Sequence, residues 1–122
     1  MTKPPMRDRD DFGVALVTGA GSGIGQGIAL RSDPASVNAA FDETERWDKC
    51  VDVLVNNAGI VGINPFLDFP LEDWNRVMAI NLTGSMLCAQ LAAREMVRQR
   101  YGRIINITSV SGIRAGVGRT AY

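Results

Sequence analysis

The stretch TGAGSGIG, residues 18–25, follows directly on the apolar run VALV. Its glycines, Gly19, Gly23 and Gly25, are spaced G-x-x-x-G-x-G between a run that reads as a strand and a pattern that reads as a helix. Glycines let a backbone approach a pyrophosphate closely, and a helix N-terminus offers unpaired N–H groups and the positive end of its dipole. Ser22 adds a hydroxyl donor in the same turn. The chemistry these residues suit is nucleotide binding; the plainer alternative is a tight strand-to-helix turn without a ligand. The chain has no histidine, so it lacks the commonest general base and the commonest metal ligand. Cys50 and Cys88 are its two cysteines, not at metal-ligand spacing, so neither a metal site nor a disulfide framework is expected.

The elements that must position this turn follow from hydrophobic pattern. VALV, with glycine on either flank, predicts a strand buried on both faces. From Gly23 the segment GIGQGIALR predicts a short helix that stops before SDPAS. Asp33 followed by Pro34 is a helix start, a side-chain cap and then proline in the first turn, leading a second helix through ASVNAAFDETERW. VDVLV, residues 51–55, predicts another buried strand, closed by NNAG and the turn-rich loop GIVGINPFLDFP. A long helix opens near Leu71. On a wheel of about 100° per residue, Trp74, Met78, Asn81, Ser85, Cys88 and Ala92 fall in one stripe, expected to pack on the sheet. GRIINIT predicts a third strand and SVSGIRAGVGRTAY a loop. Strand, helix, strand, helix, strand predicts an α/β fold around a parallel sheet.

A chain of 122 residues supports one modest core: a charged leader over residues 1–11 and one domain over 12–122. Thirteen basic residues balance thirteen acidic ones, so no net field draws the chain to nucleic acid or to an acidic membrane. The leader MTKPPMRDRDD lacks the apolar core of a signal peptide, and no run is long and charge-free enough to span a bilayer. A reduced, cytoplasmic setting is therefore expected.

NNAG after the second strand, NLTG in the long helix, and Ser109 placed 13 residues before Tyr122 join TGAGSGIG in order along the chain. Together they make the chain resemble the short-chain dehydrogenase/reductase family over most of residues 12–122. That resemblance implies a Rossmann-type fold, NAD or NADP as cofactor, and hydride transfer to or from a small-molecule carbonyl or secondary alcohol. It implies that Gly19, Ser22, Gly23, Ile24 and Gly25 hold the cofactor pyrophosphate. Asn57, Ala58 and Gly59 would line the adenosine ribose side and brace the sheet. Asn81, Ser109 and Tyr122 would be catalytic. In the family the tyrosine exchanges a proton with the substrate oxygen, the serine donates a hydrogen bond to it, and the asparagine orders water. Ser111 competes for the serine role, but its separation of 11 from Tyr122 misses the family pattern. Taken singly these residues have plain readings too: Asn81 bonding backbone at a helix irregularity, Ser109 a turn serine, Asn56 and Asn57 a strand-end turn, Cys88 a small core residue. The family also implies a homo-oligomer, commonly formed through the long helix, residues 71–100.

The chain departs from the family in two places. A dinucleotide fold calls for an acid about 20 residues past the glycines, on the ribose hydroxyls. Glu43 and Glu45 lie in that range, but inside the helix begun by Asp33 and Pro34, so neither is expected to serve. The family pattern runs from the first helix into a much later one near Arg31 and Ser32, omitting strands two and three. The remaining strand order is expected to be 1-4-5 in the family's count, with VALV left as an apolar edge that favours pairing with another chain. The lysine that the family places four residues after the tyrosine lies past residue 122, and with it the group that lowers the phenol's pKa. A shortened gene product, a chain stitched from pieces of a longer one, and a small protein reusing the fold all fit these departures. The alternative function is a catalytically inactive fragment that binds itself or an intact subunit.

Overall fold

The computed structural model describes residues 14–19, 38, 41–42, 51–114 and 116–122. Three parallel strands form its sheet: β1 (Val14–Val17), β2 (Val51–Asn56) and β3 (Arg103–Asn106), in the order β1-β2-β3. Leu16 faces Leu54 across the first pair, and Leu54 faces Ile104 across the second. This is the expected α/β layer in the expected 1-4-5 order, a Rossmann-type sheet with flanking helix.

Parallel neighbours need a crossover between them. The link from β2 to β3 is a single long helix in three parts: α1 (Leu71–Met78), a π turn (Ala79–Gly84) and α2 (Ser85–Gln99). Pro70 precedes the first turn, and Glu72 and Asp73 place negative charge at the positive end of the dipole. At its far end Arg100 adopts a left-handed conformation, φ 56°, and the Tyr101 N–H closes back on the Met96 carbonyl at 3.1 Å.

The core is Leu16, Val51 and Leu54 from the sheet against Cys88, Ala92 and Met96 from α2, with Phe41 completing it. Asn38, Phe41 and Asp42 are helical, as expected of the segment after Pro34. The rest of that helix, the helix expected from Gly23, and the leader lie outside the described residues. Burial pushes the Cys88 thiol up to about 11, as suits a small core residue. At the amino edge of the sheet the buried Asp52 accepts the Val14 N–H at 2.9 Å, and Gln99 Nε2 donates to the Val51 and Tyr101 carbonyls. Those bonds fasten the start of β1 and the end of α2 to β2.

Two expectations are corrected. The strand Val14–Val17 is not buried on both faces: Leu16 is buried, while Ala15 and Val17 are exposed, as suits an edge strand. Cys88 and Ala92 face the sheet, but the predicted stripe fails toward the start of the helix: Trp74 is 39% exposed, and Val77 and Ile80 are buried in its place. The buried line runs Val77, Ile80, Gly84, Cys88, Ala92, Met96. A π turn holds more residues per turn than an α-helix, so a wheel of about 100° per residue loses phase through residues 79–84. Nothing in NLTG's composition signals that underwinding. Among the described residues no helix is long and apolar enough to cross a membrane.

Candidate active site

At the carboxyl edge of a parallel sheet, loops from neighbouring strands meet, and ligands of open α/β sheets bind there. The loop after β1 begins with Thr18, 3% exposed. Its Oγ1 accepts the N–H groups of both Asn57 and Ala58 at 3.0 Å, while the Asn57 Nδ2 donates to the Thr18 carbonyl at 3.1 Å. One hydroxyl thus locks the glycine turn to NNAG. Gly19 follows with φ +74°, and a Cβ there would sit 2.7 Å from the Ala58 Cα and 2.9 Å from its nitrogen. Gly19 is needed twice over, for its conformation and for this approach. Among the described residues a Cβ at Gly59 would meet Asn81 Oδ1 alone, in ordinary contact at 3.7 Å, and Gly59 is exposed.

The π turn presents Asn81 to the same edge. Its Oδ1 accepts the Ile60 N–H at 2.9 Å and its Nδ2 donates to the Ile60 carbonyl at 2.8 Å, a two-point clamp on the residue after NNAG. The Asn81 carbonyl accepts from Ser85 Oγ at 3.0 Å. The Ser85 carbonyl accepts from Asn56 Nδ2, which also donates to Asn106 Oδ1 at 2.9 Å. Helix, β2 and β3 are therefore joined by one line of polar groups at the site's floor. A polar residue bonding backbone at a helix irregularity is what the structure shows of Asn81's side chain.

Ser109 leads the 3-10 turn Val110–Gly112 from an extended conformation, and its Oγ accepts the Ser111 N–H at 3.1 Å. That bond uses a lone pair and leaves the hydroxyl proton for another acceptor. Ser111, the competing serine, accepts from Arg119 Nη1 at 3.3 Å. The Tyr122 N–H donates to the Arg119 carbonyl at 3.2 Å, and its ring is exposed. No hydrogen bond among the described residues joins Asn81, Ser109 and Tyr122 directly. Gly19, Asn57 and Ala58 are brought into contact, Asn81 clamps the loop beside them, and Ser109 and Tyr122 share the loop after β3. Ser22, Gly23, Ile24 and Gly25 lie outside the described residues. Sequence reasoning missed Thr18 and Ile60. Thr18 had a signal, a small hydroxyl residue at the end of a buried strand with two orphan N–H groups opposite. Ile60 acts through its backbone and had none.

The pattern of the short chain dehydrogenase family matches residues 29–122. The chain belongs to the short-chain dehydrogenase family. Among its relatives, 3-oxoacyl-acyl-carrier-protein reductase FabG of Aquifex aeolicus is 46% identical over 87 residues, covering 71% of this chain and 35% of that protein. The 2-dehydro-3-deoxy-D-gluconate 5-dehydrogenase of Bacillus subtilis is 32% identical, covering 88% of this chain and 57% of that protein. Its alignment runs over 145 residues although this chain has 122, so the relative carries a stretch with no counterpart here. A crystal structure of a gluconate 5-dehydrogenase from Burkholderia cenocepacia, in complex with NADP and tartrate, superposes with a TM-score of 0.76 at 32% identity. It covers 88% of this chain and 58% of that one. The chain thus spans between a third and three-fifths of the length of these short-chain dehydrogenase relatives.

Proposed function

We propose that the chain carries the cofactor edge and catalytic face of an NAD(P)-dependent oxidoreductase, acting on a small-molecule carbonyl or secondary alcohol. The observation that carries this is the lock of Asn57 and Ala58 onto Thr18 and Gly19 at the carboxyl edge of β1 and β2. Such an edge suits a dinucleotide: Gly19 admits no side chain, and Gly59 is exposed. NAD or NADP would be held by Gly19, Asn57, Ala58 and Gly59 together with Ser22, Gly23, Ile24 and Gly25. When bound, the nicotinamide supplies or takes the hydride.

The chain's own residues then do the remaining work. Ser109 keeps its proton and donates a hydrogen bond to the substrate oxygen, where negative charge develops as hydride arrives. Tyr122 gives a proton to that oxygen in reduction and takes it back in oxidation. Asn81 holds Ile60 and so fixes the floor of the site. The relatives' names point to ketone carbonyls on 3-oxoacyl or keto-sugar-acid substrates as the class to try.

Self-association is the second reading, and exposed apolar side chains favour it. Leu71, Trp74, Leu82, Met86 and Val97 are exposed along the long helix, and Ile104 and Ile105 along β3. A homo-oligomer would cover them, in the cytoplasm as for a soluble enzyme. Oxidation of NADH or NADPH with a panel of such ketones, against Tyr122→Phe and Ser109→Ala, tests catalysis. Rates above both variants support the oxidoreductase. Nucleotide binding with rates equal to Tyr122→Phe favours association without turnover, and absence of nucleotide binding refutes the cofactor site.

A further inference from the structure

We infer that Asn64 is a positioning residue for Tyr122, acting through Gly118; the inference rests on the catalytic role proposed for Tyr122. Residues 116–122 are mostly exposed, and the hydrogen bonds Arg119 N–H to Gly116 and Tyr122 N–H to Arg119 are internal to that segment. Arg119 adds a bond to Ser111, still within the loop after β3. Among the described residues, one hydrogen bond ties residues 116–122 to anything outside the loop after β3. It runs from the Asn64 N–H to the Gly118 carbonyl, at 3.0 Å.

Both partners are built for that contact. Gly118 has φ +72°, and a Cβ there would lie 3.3 Å from Ile63 Cγ2 and 3.4 Å from the Asn64 carbonyl oxygen. A side chain at 118 would meet both strain and crowding at the tether itself. Asn64 is anchored in turn: its Nδ2 donates to Asp73 Oδ2 at 2.9 Å. Asp73 sits in the first turn of α1, a rigid element. The constraint therefore runs from helix to Asn64 to Gly118 and, four residues on through two tight turns, to Tyr122. The Ile60 end of the same loop is held by Asn81, so one short segment takes its position from the helix at both ends and passes it to the tyrosine.

The chain has two tyrosines, Tyr101 and Tyr122, which makes the test direct. With 3-fluorotyrosine incorporated, two fluorine resonances appear, and Tyr122→Phe assigns them. Asn64→Ala and Asp73→Ala should each move the Tyr122 resonance toward that of the free amino acid and leave Tyr101 in place. Asp73→Asn keeps an oxygen acceptor for Asn64 and should restore the wild-type position. Hydrogen exchange at the residue 64 amide should quicken by roughly tenfold in Asp73→Ala, the loss of about one net hydrogen bond. An unmoved Tyr122 resonance in both alanine variants overturns the inference. So does a parallel shift of both tyrosines, which marks loss of the fold rather than of a tether. So does an Asp73→Asn spectrum as altered as that of Asp73→Ala. Titration of wild type with NADH and NADPH is read separately: failure of both to bind overturns the oxidoreductase proposal, while the fluorine shifts still decide the tether.

Discussion

Replacing Gly19 by alanine should weaken the fold at one identifiable point. The new Cβ would be placed 2.7 Å from the Ala58 Cα and 2.9 Å from the Ala58 nitrogen, both backbone atoms that no rotamer change can clear. Alanine at φ +74° also costs about 1 kcal/mol in the left-handed region. To relieve the overlap Ala58 must move, and its N–H, like that of Asn57, is bonded to the Thr18 hydroxyl at 3.0 Å. Loss of one or two such bonds costs about 1 kcal/mol each. The sum is about 2–3 kcal/mol for Gly19→Ala, with Thr18→Val costing about 1–3 kcal/mol by leaving two N–H groups without an acceptor. Equilibrium unfolding in urea measures both. The two changes strike one contact, so the double variant should lose less than the sum of the singles. A Gly19→Ala protein within about 0.5 kcal/mol of wild type, the range of an ordinary surface substitution, would refute the packing described for this edge.

Arg100→Gly should stabilise the protein by about 0.5–1 kcal/mol, because Arg100 ends α2 at φ 56°, where glycine pays no steric penalty; thermal melting shows it as a rise of the midpoint. The Cys88 thiol, pushed up to about 11 by burial, should resist alkylation in the folded protein at pH 8 and react once urea unfolds it. Its raised pKa also sets a sign: the stability it contributes is complete below the unfolded value of 9.0 and is lost as pH rises from there toward about 11. Urea midpoints of wild type should therefore fall faster than those of Cys88→Ala over that window.

Much of the fold was legible because it rests on local pattern. The strands at residues 14–17 and 51–55 are short apolar runs bounded by turn residues, and their parallel order followed from the helical stretch between them. The helix begins at Leu71, and its start near that residue was legible. Its inward face was not, because the π turn through Asn81 shifts the phase and no residue type marks such a turn. At the site, glycine and asparagine spacing located the edge where the loops meet. That Asn81 bonds backbone at a helix irregularity was among the readings of its type, but its partner Ile60 and the two N–H groups that Thr18 takes are backbone groups, which every residue possesses. The tether from Asn64 to Gly118 joins residues far apart in sequence and is likewise a backbone contact.

Under the proposed function, the carboxyl edge of β1 and β2 is a nicotinamide dinucleotide site. Backbone amide spectra of the labelled protein, followed while NADPH and then NADH are added, test it residue by residue. Saturable shifts are expected at Gly19, Asn57, Ala58 and Gly59, with Val14, Val51 and Tyr101 at the opposite edge unmoved. Shifts confined to that opposite edge, or none at any nucleotide concentration, would contradict the proposed site.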